Sequence, residues 1–109
     1  MSTLELNTYD LQRETAKIMG WEYYHQNGRL VVNKKGEPSA MRTFWEPHNN
    51  LLDALAIVKR FTLKMFYNGV DWEVYTDFTS VGTIKVKHPE LCIAICLALL
   101  EHREAGLVR

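Results

Sequence analysis

His88, Cys92 and Cys96 recur every fourth residue in KHPELCIAICLALLEH, and these residue types are ligands for zinc or, for the two thiols, a redox pair. On one helix the spacing stacks them along a single face in steps of roughly 6 Å. A closed zinc site needs four ligands in a tetrahedron, and a column on one helix cannot wrap an ion without help from elsewhere. His25, His48 and His102 are scattered, and no second Cys/His cluster accompanies the column. The cysteines do not form CxxC, Leu99 stands where a third cysteine would extend CxxxC, and a disulfide between successive turns of a helix is strained. Neither metal nor cofactor is expected, and Cys92 and Cys96 read as small buried hydrophobes.

Other chemistry is equally thin. The chain has no GxSxG elbow, Walker loop, GxGxxG turn or HExxH helix. A Cys–His nucleophile would place its thiolate inside an apolar helix, where burial favours the thiol. Asp71, Glu73 and Asp77 could pair as carboxylates, but alternation makes them the wetter face of a strand. Lys85 and Lys87 with Tyr75 could touch phosphate and stack a base, although edge-strand lysines account for them as well. The protein is not expected to be an enzyme. A binding role points instead to MRTFWEPHNN, where Arg42, Phe44, Trp45, His48 and Asn49 precede a helix N-terminus. Free N–H groups there can hold an anion, and the rings can stack on a flat ligand. The competing reading has Trp45 anchoring the loop to the core while Asn49 or Asn50 caps the helix.

The elements that position these residues follow from periodicity. A helix is predicted from about Thr8 to Met19, capped by Asn7 or Thr8 and ended by Gly20. WEYYHQ and RLVVN flank Asn27-Gly28 as a β-hairpin, and KKGEPSAMRT reads as a loop. A second helix runs from about Asn50 to Phe61, followed by a second hairpin around Asn68-Gly69 with a strand from Trp72 to Phe78. SVGTIKVKH supplies a last strand, and His88-Pro89 opens the final helix. No internal repeat stands out. The expected class is α+β, a three-layer α/β/α sandwich with three helices and one antiparallel sheet of four to five strands.

Composition bounds the partners. The 109 residues, 47% of them hydrophobic, suit one domain spanning 1–109. Thirteen basic and thirteen acidic residues leave a formal net charge of zero, which makes nucleic acid an unlikely default partner. The apolar run Leu91 to Leu100 is about half the roughly 20 residues that span a bilayer, and no secretory signal opens the chain, so a cytosolic protein is expected. That run has no polar face and should be buried all round, which predicts a homo-oligomer with Ile93, Leu97 and Leu100 at the interface.

Three segments, ETAKIMGWEYY, FWEPHNNLLDALAIVKRF and HPELCIAICLALLEH, resemble in order and spacing the phage ABA sandwich domain, a family of small bacteriophage and prophage proteins. They span most of the chain, from about Glu14 to Glu104. The resemblance implies an α/β/α sandwich of phage origin and carries no catalytic residues. It leads to the expectation of a non-enzymatic accessory protein in the host cytoplasm. Such a protein would bind a bacterial host protein, for instance as an inhibitor of a defence factor. The alternative is an oligomeric module that sequesters a nucleotide-like signal through Arg42, Trp45 and His48.

Overall fold

Asn7 accepts the Asp10 backbone N–H on its side-chain oxygen at 2.8 Å and starts α1 (Thr8–Met19). The helix stops at Gly20, whose φ of 80° is open to a residue without Cβ. The computed structural model describes residues 7–33, 42–76 and 84–104. β1 (Glu22–Gln26) and β2 (Arg29–Asn33) follow as an antiparallel hairpin, with Asn27 and Gly28 both at positive φ in the expected two-residue turn.

β3 (Arg42–Phe44) pairs antiparallel with β2, matching Val31 to Phe44, although the sequence assigns Arg42 and Thr43 to a loop. Three residues are too few for alternation to show. The rest of that expected loop, like Asp77 and Phe78 of the expected strand, lies outside the described residues. α2 (Leu51–Phe61) ends on Thr62, which takes the left-handed conformation at φ 54°. β4 (Lys64–Tyr67), β5 (Trp72–Thr76) and β6 (Ile84–His88) then form the second antiparallel set, and α3 (Leu91–Glu104) closes the described chain. The β4–β5 connection is longer than the first hairpin's. It runs from Asn68 to Asp71, where Asn68 Oδ1 accepts the N–H groups of Val70 and Asp71.

The class is α+β, with three helices among the described residues. Hydrogen bonding groups the six described strands into two three-stranded sheets, ordered β1-β2-β3 and β4-β5-β6, where the sequence predicts one sheet of four to five. The reason is α2, which interrupts the run of neighbouring strands. The order αβββ thus occurs twice. Its recurrence rests on few residues: Asn7 and Asn50 as caps, Gly20 and Thr62 as left-handed stops, Trp21 and Leu63 buried just after, and an Asn-Gly pair beyond each.

Both units share one core, and α3 lies at its centre. It touches β5, β6, α1 and α2, and Ala94 to Leu100 are buried without a break. Burying each large aliphatic side chain contributes about 1.5–3 kcal/mol, and among the described elements α3 buries the most of them: Ile95, Leu97, Leu99 and Leu100. Its shelter comes from its own chain, which removes the reason for expecting a second copy to cover it.

Candidate functional site

The segment from Phe44 to Asp53 joins β3 to α2, and its geometry is set by Trp45. Alternation along β3 turns Phe44 to the outer face, beside Val31, and the next residue turns inward. Trp45 is fully enclosed. Its backbone N–H donates to the Leu30 carbonyl at 3.0 Å, and its carbonyl accepts from Gln12 Nε2 at 2.8 Å. Its indole N–H donates to Thr15 Oγ1 at 2.9 Å, and the hydroxyl donates onward to the Leu11 carbonyl at 2.6 Å. The ring meets Trp21 edge-on at 5.0 Å. Trp45 is an anchor, so the ligand-stacking role predicted for it is corrected: neither ring face is open.

Phe44, 41% exposed, carries the Arg29 guanidinium 3.5 Å above its ring, a cation–π contact. Arg29 also pairs with Glu46 at 2.8 Å. With Gln26, Val31 and Thr43, Phe44 lines a surface cleft of about 430 Å³. Val31 is buried although it lies on the outer face with Phe44, and Tyr24 is its register partner on the other side.

The expected anion site at the start of α2 is closed by the chain itself. Asn50 Oδ1 accepts the Leu52 and Asp53 N–H groups at 3.0 and 3.3 Å, and Asp53 Oδ2 accepts the Glu46 N–H at 2.9 Å. Asn50, not Asn49, is the cap. Asn49 is exposed and His48 half-buried, and burial lowers the His48 pKa against the opposing pull of Glu46. The backbone of Arg42 pairs with Asn33, and its side chain lies outside the described residues. Of the four predicted binding residues with described side chains, only Phe44 reaches the cleft. Gln26, Arg29 and Val31 were missed, because their proximity to Phe44 depends on the β2–β3 pairing.

At the other candidate, His88 ends β6 instead of opening α3, and its Nδ1 accepts the Glu90 N–H at 3.0 Å. The column of His88, Cys92 and Cys96 therefore does not lie on one helix. Among the described residues no cluster of three His, Cys, Asp or Glu side chains is placed to hold a metal ion. Burial raises the pKa of both Cys92 and Cys96, with Glu90 adding to the effect on Cys92 and Cys92 adding to that on Cys96. Leu97 and Leu100 are buried and Ile93 is half-buried against the core, so the first two are covered by the chain's own residues and not presented at the predicted interface. Among the described residues no helix is long and apolar enough to cross a membrane. No protein-family model matches the chain, and the curated proteins contain no match to it either.

Proposed function

We propose that the chain is a phage accessory protein of the ABA sandwich type, with helices and sheets layered α/β/α. It works in the host cytoplasm by binding a host protein, with inhibition of a defence factor as its role. The observation that carries the binding reading is the β3–α2 segment. Trp45 locks its base into the core while Phe44 and, on the first turn of α2, Leu51 and Leu52 face water. Leu52 is 79% exposed on a helix end whose backbone is already capped. Apolar side chains held out by a rigid base lose little freedom on docking, which favours a protein contact. The family reading draws support from the places its three segments occupy: α1 running into β1, the capped start and body of α2, and the central helix α3.

Affinity purification from host extract tests this, comparing the native chain with a Phe44→Ser, Leu52→Glu variant of equal melting temperature. Recovery of one host protein by the native chain and its loss with the variant is the expected outcome. Equal recovery by both, or none by either, overturns it.

A second reading, a module sequestering a nucleotide-like signal, draws on the cleft, where the Gln26 amide and the Arg29-covered ring of Phe44 offer polar and stacking contacts. A bound nucleotide would raise the melting temperature by mass action. No shift across a nucleotide panel removes this reading.

A further inference from the structure

Each sheet has an Asn-Gly pair in the connection between its first two strands, and the two pairs are held differently. Asparagine is a thermally labile residue. It is most so before glycine, where no side chain shields the next backbone nitrogen from the amide carbon. Both glycines are open: nothing lies within 4 Å of where a Cβ would stand on Gly28 or on Gly69. The asparagines differ. Asn68 Oδ1 accepts the Val70 and Asp71 N–H groups at 2.9 and 2.8 Å, and Asn68 Nδ2 donates to Glu73 at 2.8 Å. Asn27 is exposed, takes φ 53°, and has no hydrogen-bond partner for its side chain among the described residues.

We propose that Asn27 is a site of spontaneous modification, converted to aspartate and isoaspartate while Asn68 is protected. The Gly28 nitrogen gives up its proton and bonds to Asn27 Cγ. The Cγ–Nδ2 bond breaks, and the amide leaves as ammonia with that proton. Water then adds to either carbonyl of the cyclic imide and reopens it, with no oxidant or reductant involved. Asn27 must first turn out of its left-handed conformation, which requires opening only the tip of the hairpin, closed by Gln26 and Arg29. Asn68 must surrender three side-chain hydrogen bonds as well. The position matters because the tip adjoins the cleft: Gln26 lines it, and Arg29 covers Phe44 and pairs with Glu46. Aspartate adds a negative charge between those two residues of the chain. Isoaspartate also routes the main chain through the side-chain carbon, lengthening a turn whose two-residue span fixes the register of β1 on β2. The inference rests on neither binding reading.

The test holds the full chain at mildly alkaline pH and physiological temperature for days, with samples digested by trypsin and mapped by mass spectrometry. The two sites fall in separate peptides, 18–29 and 65–85. Acid and isoaspartyl forms of the first are expected to accumulate roughly tenfold faster than those of the second, because each hydrogen bond that must open slows Asn68. In the urea-unfolded chain the two rates should converge. Asn27→Gly keeps the turn, since glycine accepts the positive φ, and should remove the acidic species seen on isoelectric focusing. Four outcomes overturn the proposal: conversion of Asn68 in the folded chain as fast as that of Asn27, conversion of Asn27 no faster than that of Asn33 and Asn49, which no glycine follows, a difference that persists in urea, or acidic species undiminished in Asn27→Gly.

Discussion

Phe44 and Trp45 are adjacent aromatics that face opposite ways. The sequence offers both as candidate ligand contacts, since neither type nor spacing says which ring the core claims. What decides it is the indole N–H, a donor that a buried site must satisfy, and Thr15 Oγ1 accepts it from within α1. A threonine on the buried side of a helix carries no signal of that role until β3 is placed beside it. Thr15→Val keeps the shape and removes the acceptor, so it is expected to cost about 1–3 kcal/mol in urea unfolding, with little change in the m-value. A loss below a few tenths of a kcal/mol would show that the indole finds another partner. Cys96 was more legible, because an unbroken apolar surround implies burial whatever the local spacing suggests, whereas Cys92, one turn earlier, is only half-buried.

The helices could be read almost to their ends because their stop signals are chemical: Asn7 and Asn50 bind the first turns through their side chains, and Gly20 ends α1. β3 could not be read, and with it went the cleft, since Phe44 meets Val31 only through a three-residue pairing. The stop of α2 at Phe61 falls where the sequence predicts it, but the residue that makes it is an unusual one. Thr62 sits at φ 54°, where a β-branched residue is crowded at a cost of roughly 1–2 kcal/mol. Glycine relieves that crowding, though its unfolded chain has more freedom to lose, by about 0.5–1 kcal/mol. Thr62→Gly is therefore expected to stabilise the protein by about 0.5–1 kcal/mol, read as a rise in thermal midpoint. A lower midpoint would mean that the threonine side chain contributes contacts that outweigh its backbone strain.

Across the whole molecule, the first and last helices are tied by Glu14, which meets Arg103 at 2.6 Å, Lys17 at 3.1 Å and Arg13 at 3.2 Å. Burial alone would raise its pKa, but the hydrogen bonds from Arg103, Lys17 and Arg13 prevail and hold it at about 2, below the ordinary 4.5. Burial lowers His48 and His102 below 6.5. All three release protons more readily folded than unfolded, so the unfolded chain gains protons first as pH falls. Stability should be full between pH 6.5 and about 9, decline above that as the thiols ionise in the unfolded state and below it as the histidines charge there, and fall again between 4.5 and about 2. Urea midpoints across that range measure the profile. Glu14→Gln should lose about 1–2 kcal/mol at neutral pH and flatten the lower limb. An unchanged lower limb in the variant would assign the acid loss to other carboxylates.

The helix at the centre of the core is also the one that follows both sheets in the chain. While a ribosome is still making the protein, the inner faces of β5 and β6 emerge without the helix that covers them, and they stay bare until Glu104 has cleared the exit tunnel. Folding must then wait for translation to pass α3, and the growing polypeptide depends on chaperones or on speed to avoid sticking to its neighbours. Nascent chains stalled before Leu91 should be cut by protease at every accessible bond, whereas those stalled well beyond Glu104 should resist.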